Sequence, residues 1–206
     1  MTPAAILTRR TALLGGVATL SGCSALSALN SAAQPLDTYD LTPASGSRQG
    51  RQTGRTLLVA RPEAPATIAT DRIMIKPNAV AITYLPEARW SDALPLVIQS
   101  VLIRSISGTG RVGYVGQSDG GPVPDTALLV RLDAFQVTVL ADGRFQATVD
   151  IALTALDDRN QRVIGSRSFA QSVIAADTTP AAVIAAFQTV LNTLLPTMAD
   201  WAVDRA

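Results

Sequence analysis

Histidine is absent from all 206 residues, and cysteine occurs once. The first absence removes imidazole triads, His-ligated zinc and facial-triad metal sites together. The second removes any intrachain disulfide and any cysteine-cluster metal site. Aromatic residues make up 4% of the chain, and charged residues 16%. Lys76 is the sole lysine, and the acids are almost all Asp. Seventeen Lys and Arg against 16 Asp and Glu leave no basic excess of the kind that nucleic-acid binding needs. A hydrophobic fraction of 48% argues against general disorder. The length suits one domain with a sizeable core.

The one cysteine sits in an informative place. Arg9-Arg10 supply a charged start, and Ala12 to Leu20 form an apolar run too short for a bilayer core, which needs roughly 20 residues. The run ends in Leu20-Ser21-Gly22-Cys23, which resembles the bacterial lipobox. There, small side chains precede a thiol that carries the lipid and becomes the first residue. Residues 1–22 therefore read as a lipoprotein signal peptide, and 23–36 as the lipidated Cys and a tether. Losing Arg9 and Arg10 takes the net charge from +1 to −1. Three acyl chains exceed the two signals that stable anchoring takes. Thr8-Arg9-Arg10-Thr11 also resembles a twin-arginine signal, with Ala12 where a bulky apolar residue is favoured, so both export routes stay open. Ser24, rather than Asp, follows the cysteine, which points to the outer membrane.

Residues 37–206 read as a single α+β domain, an antiparallel or mixed β-sheet covered by a mid-chain helix and a C-terminal amphipathic helix. Asp37 to Leu41 is a short strand. Pro43 to Arg55 is a Gly/Ser/Gln loop carrying Arg48, Arg51 and Arg55, and reads mainly as solvated. Thr56 to Ala60 is a strand, and Arg72–Ile75 with Ala79–Leu85 form a hairpin about Lys76-Pro77-Asn78. Ser91 is the expected N-cap of a helix running to Ser107, with Pro95 in its first turn and Gly108 and Gly110 as stops. Arg111 to Val115 is a strand.

A three-strand meander follows. From Ala127 to Leu140 the apolar phase shifts. Leu128, Val130 and Leu132 share one parity, and Phe135, Val137 and Val139 share the other. A bulge near Asp133-Ala134 would keep both sets inward. Asp142-Gly143 is a hairpin turn. Phe145, Ala147, Val149, Ile151 and Leu153 alternate with polar residues. Asp157 to Asn160 turns the chain into a third strand, Val163 to Ala175. Thr179 caps a helix with Pro180 at its first position. Its apolar stripe includes Val183, Ile184, Phe187, Leu191, Met198 and Trp201. The stripe keeps its phase across Pro196, so one kinked core helix is expected.

No catalytic constellation is visible, and neither a cofactor nor a metal site is predicted. Asp157-Asp158 is an adjacent carboxylate pair whose side chains diverge on a strand. Ser105 and Ser107 have no His partner. Gly108-Thr-Gly110 follows a helix, the wrong order for a phosphate loop. On the mid-chain helix, Leu94, Val97, Ile98, Val101, Leu102 and Ile106 face the sheet. Gln99, Ser100, Arg104 and Ser107 mark the other side. Leu96 and Ile103 fall inside that polar arc, two turns apart. They are either covered or scattered apolars, or a contact joining protomers or a partner.

Tyr39-x-Leu41, Asp71-Arg72-Ile73, Tyr84, and Arg89-Trp90 leading into a helix, then Gly and Arg111-Val112, together with the lipobox, resemble the ABC-type transport auxiliary lipoprotein family. Its better-known members are PqiC-like lipoproteins. The resemblance implies a periplasm-facing outer-membrane lipoprotein that accompanies an MCE/ABC lipid-transport system, with transporter components as partners, the membrane reached through the anchor, and self-association into a homo-oligomer suiting a conduit. Arg72, Tyr84, Arg89 and Trp90 are the motif residues. Trp90 reads as a core anchor, Tyr84 as half-buried packing, and the two arginines as docking or ion-pairing groups. The alternative is an outer-membrane assembly or envelope-integrity lipoprotein that handles no lipid itself.

Overall fold

The sheet is organised around one strand that is shared by three others. In the computed structural model, residues 36–119 and 121–206 are described. The signal peptide, Leu20, Ser21, Gly22, Cys23 and the tether lie outside them, apart from Leu36. The elements run β1 (Asp37–Tyr39), β2 (Thr53–Val59), β3 (Arg72–Lys76), β4 (Thr83–Trp90), α1 (Leu94–Ser107), β5 (Val112–Gln117), β6 (Thr126–Val139), β7 (Phe145–Asp157), β8 (Arg162–Ile174) and α2 (Pro180–Val203). Along one edge β6 pairs antiparallel with the whole of β7, and β7 pairs with β8. Its other edge is divided. Thr126 to Leu128 pair with β2, and Val137 and Thr138 pair with β3, both parallel. Between these arms the chain after β2 stays zipped to β6, through bonds from Ala60 N to Leu128 O and from Glu63 N to Val130 O. β5 joins β2 in parallel, β4 joins β3 antiparallel, and β1 joins β4 in parallel. Among the described residues the result is an eight-stranded mixed sheet with two helices, an α+β fold.

The phase shift in β6 takes the form that its apolar pattern requires. Leu132 pairs with Ile151, but Ala134 pairs with Asp150, so Asp133 is the extra residue of a bulge. Leu128, Val130, Leu132, Phe135 and Val137 are all buried as a consequence. The displaced carboxylate is held by Arg131 through two bonds of 2.7 and 2.9 Å. In β7, Ala147, Val149, Ile151, Leu153 and Ala155 are fully buried, and Gly143 turns the hairpin at φ 83°.

Both helices lie on the sheet's apolar side. Thr179 Oγ1 accepts from Ala182 N to cap α2, which runs unbroken across Pro196. By length and composition α2 could cross a membrane. Its stripe is nevertheless spent inside the domain, with Val183, Phe187, Val190, Leu191 and Met198 completely covered. Trp90 from β4 meets Phe135 from β6 and Phe187 from α2 at 5.7 Å each, edge to face, and the two phenylalanines stack at 4.6 Å. Truncating such a ring costs about 3–5 kcal/mol.

Three sequence expectations need correction. The second hairpin strand does not span Ala79–Leu85: β4 starts at Thr83 and runs on to Trp90. Pro86 lacks a ladder donor and Glu87 adopts φ 58°, so the register against β3 slips there. Ser91 is not the cap of α1. Ala93 holds that position without a side-chain bond, while the Ser91 hydroxyl donates to Asp40 Oδ1 at 3.1 Å. Gln99 does not mark a solvated face. It is 2% exposed and donates to Val59 O at 3.0 Å, which bonds the helix to a backbone carbonyl at the end of β2 that also accepts from Ser118 N.

Candidate functional site

The segment from Leu41 to Gln52, most of which falls in the Pro43–Arg55 stretch expected as a solvated loop, is a strap over the two helices. Almost every bond that holds it comes from a side chain. Thr42 exchanges bonds with the Gln188 amide on α2, at 2.9 and 3.2 Å. Ala44 N donates to Ser105 Oγ on α1, and Ser47 N donates to Asp200 Oδ1 at 2.7 Å. Arg104 donates to Leu41 O. Leu41 itself is 1% exposed. The strap closes on Arg111, which is buried at the start of β5. Its guanidinium reaches Asp204 at 2.8 Å, Asp200 at 3.5 Å and Arg51 O at 3.4 Å. Gly50, at φ 124°, passes so close that a Cβ there would stand 2.9 Å from the Arg111 guanidinium.

A polar cavity of about 270 Å³ opens beside this clamp, lined by Arg51, Thr53, Arg55, Arg111 and Asp204 among others. Asp200 and Asp204 both pair with Arg111, so its charge serves the fold. Arg55 lies on β2 rather than in a loop.

The motif residues gather at the β1–β4–β3 edge. Arg89 donates from Nε to Thr38 Oγ1 at 3.1 Å and stands 4.0 Å from Asp71, which stitches β4 to β1 and to the entry of β3. Arg72 lies over the Tyr84 ring at 5.8 Å and donates weakly to Leu85 O, leaving its buried Nε without a partner. The Tyr84 hydroxyl donates to Thr67 O at 3.3 Å. Trp90 is 1% exposed in the aromatic cluster. Arg72, Tyr84 and Arg89 thus lie on the outer side of this corner, bonded mainly to structure, whereas Trp90 points to the core.

Leu96 and Ile103 are each half-buried, and Ile103 packs against the core. The large apolar side chains that stand exposed are elsewhere: Val80 and Ile82 between β3 and β4, Tyr114, Val123, Leu129, and Val163, Ile164 and Ile174 on β8. Sequence reading missed the β8 set, because its alternation looks like that of any half-buried strand.

Asp157 accepts from Arg159 N, and Asp158 from Gln161 Nε2, as turn residues do. Ser105 is buried beneath the strap. Among the described residues, no group of three or more His, Cys, Asp or Glu side chains could hold a metal ion. Four carboxylates are held below the ordinary Asp range: Asp125 chiefly by the Thr56 N–H, Asp133 by Arg131, Asp142 by the Arg144 N–H and side chain, and Asp177 by Thr179. All four sit at turns or bulges.

The chain is 28% identical to an uncharacterised protein of Bradyrhizobium diazoefficiens over 208 residues, 96% of this chain and 52% of the relative. It thus spans about half the length of that curated relative. A crystallised protein of Xanthomonas campestris from the family DUF330 superposes with a TM-score of 0.75 at 23% identity, covering 82% of this chain and 96% of that one. Another crystallised protein, uncharacterised, superposes with a TM-score of 0.63 at 14% identity, covering 84% of this chain and all of the other. Both structures share the fold. The family model for the ABC-type transport auxiliary lipoprotein component matches residues 39–199, from the last residue of β1 to the final turns of α2. The same span contains the strap, the arginine corner and the shared strand β6, and the chain belongs to the ABC-type transport auxiliary lipoprotein family.

Proposed function

We propose that this chain is a non-catalytic, periplasm-facing lipoprotein subunit of an ABC/MCE-type system that moves lipid between membranes. It docks a transporter component, contributes to a conduit, or does both, from an anchor at Cys23 in the outer membrane. The observation that carries this reading is the family match over residues 39–199. The lipobox Leu20-Ser21-Gly22-Cys23 supports the anchor. Its three acyl chains would hold the domain at a membrane surface, where a tether of about 13 residues spans roughly 20 Å. The arginine corner of Arg72, Tyr84 and Arg89 supports a docking role, since the Arg89 guanidinium remains half exposed at the β1 edge; Trp90 anchors that corner from the core. Leu96 and Ile103 belong to the same proposal as part of a contact joining protomers or the transporter partner.

The test is purification of the full-length lipoprotein from its native envelope after in-cell cross-linking, with mass spectrometry of both proteins and extracted lipids. Recovery of an ATPase, a permease and an MCE protein is expected. Recovery of envelope-assembly proteins with none of these would overturn the transporter reading. For the anchor, Cys23→Ala is expected to accumulate as uncleaved precursor in the inner membrane or as soluble protein. Normal outer-membrane fractionation of that variant would overturn the anchor.

A further inference from the structure

Among the described residues the sheet ends on β8, a strand of 13 residues that pairs with β7 alone. Long open edges are a liability that proteins blunt with proline, lysine, acids or brevity. Arg162 to Ile174 contains no proline, no lysine and no acid. The other edge strands are shorter: β1 has 3 residues and β5 has 6. Phe169 is the only buried residue of β8, and Val163, Ile164 and Ile174 stand 55%, 42% and 40% exposed.

The direction of the open bonds follows from the register. Ala175 N donates to Phe145 O, and the pairing continues unbroken from Gln146 with Ile174 to Ala155 with Gly165. Odd-numbered residues of this stretch therefore point their N–H and C=O at β7, and even-numbered ones point theirs away. The outward groups belong to Ser166, Ser168, Ala170, Ser172 and Ile174. Below Gly165 the register shifts, so the regular edge runs from Gly165 to Ile174.

We propose that this edge pairs antiparallel with the same edge of a second copy about a twofold axis at Ala170, which joins two sheets into one. The strand is close to self-complementary about that point. Ser168 falls opposite Ser172 of the copy, and Ser166 opposite Ile174. The smallest side chain of the outward set meets itself on the axis. On the outer face, Thr148 with Ser172 and Thr154 with Ser166 already form hydroxyl pairs at 3.0 and 2.8 Å, and the Ser168–Ser172 pairs extend that ladder across the junction. Arg167 is the only charge in the stretch. It falls opposite Val173, whereas a shift of the axis to Arg167 would set two guanidiniums face to face, which is destabilising. On the inner face Arg167 already covers Phe169 at 4.9 Å, so the aromatic ring needs no further cover from a partner. A copy of this chain fits the edge without charge conflict and satisfies every outward backbone group. The proposal stands whether or not the transporter reading holds.

The experiment uses the full-length lipoprotein in its membrane. In a hydrogen-bonded antiparallel pair the Cα atoms stand about 5.5 Å apart, inside the range a disulfide spans. Under mild oxidation Ala170→Cys is expected to give a reducible band at twice the mass of the processed chain. Ser107→Cys at the exposed end of α1, and the parent protein with its own Cys23, set the background. In detergent, Ala170→Pro and Ala170→Arg are expected to shift the light-scattering mass from dimer to monomer while the melting temperature is kept. The proline removes only an outward N–H, and the arginine leaves the backbone intact but sets like charges on the axis. If Ala170→Cys cross-links no more than Ser107→Cys, or if both replacements keep the parent mass, the proposal is wrong. Should the proline variant unfold, the arginine variant alone decides between the two outcomes.

Discussion

Arg111 at the start of β5 and Asp204 beyond the end of α2 are joined at 2.8 Å, across 93 residues of chain. The side chain of Arg111 is 9% exposed, whereas those of Asp200 and Asp204 are 37% and 59% exposed. The guanidinium is therefore the buried member of the cluster, and the acids keep part of their hydration. Arg111→Ala is expected to cost about 2 kcal/mol, with the ion-pair share discounted for that solvent access. It should also speed hydrogen exchange at the Ser47 amide, whose acceptor Asp200 loses its cationic neighbour. Unchanged exchange there would mean that the strap holds without the clamp.

Deleting Asp133 removes the bulge and leaves β6 in strict alternation, with Leu132, Ala134 and Phe135 against the β7 partners they have now. Phe135 and Val137, 2% and 0% exposed, therefore stay buried, and the deletion is expected to fold. Asp133→Ala, which keeps the extra residue, should cost under about 1 kcal/mol, because an exposed ion pair contributes little. A lost near-ultraviolet circular dichroism signal in the deletion would mean that the bulge itself is needed.

With no histidine in the sequence, no imidazole titrates between pH 5 and 8, so thermal stability is expected to be flat across that window. The carboxyls of Asp125, Asp133, Asp142 and Asp177 lie below their ordinary value when folded. Such groups stabilise the fold fully above the unfolded value of about 3.9, and that stabilisation fades as pH falls below it and through the folded values. Melting temperature should thus decline only below about pH 4. Asp125→Asn should make that decline shallower, since Asp125 accepts from Thr56 N.

Leu96 and Ile103 are half-buried, so charge insertion there would confuse contact with packing. Leu96→Ala with Ile103→Ala is expected to lower the yield of cross-linked transporter components several-fold with modest loss of melting temperature. Full retention of those components would remove both residues from the proposed docking surface.

The parts of the fold legible in the sequence were those held by neighbours in sequence. The bulge at Asp133, the turn at Gly143 and the stripe of α2 each follow from periods of 2 or 3.6 residues and one turn signal. The strap was not legible. Its anchors lie 146, 61 and 153 residues away, and they are polar side chains in contexts that read as solvated. Gln99 was misplaced for a related reason: a helical wheel shows polarity, but not that the Val59 carbonyl at the end of a strand lies within reach. The parallel pairs of β6 with β2 and β3 were invisible as well, because nothing in a strand's own sequence names a distant parallel partner. The β8 edge was legible in outline, but its open side needed the register of Ala147 with Val173 and its neighbours to be known.

The sharing of β6 also sets an order of events for the chain as it folds. β6, β7 and β8 meet through tight turns and can form from local hairpins alone. β2 and β3 cannot be completed that way, since Leu57 awaits Thr126 and Ile75 awaits Val137. Loop closure of that length is slow compared with a hairpin. The topology thus favours early order in the carboxy-terminal half, with β2 and β3 completed last. A period in which β2 and β3 are open to proteases is built into that order, and it ends only when β6 is in place.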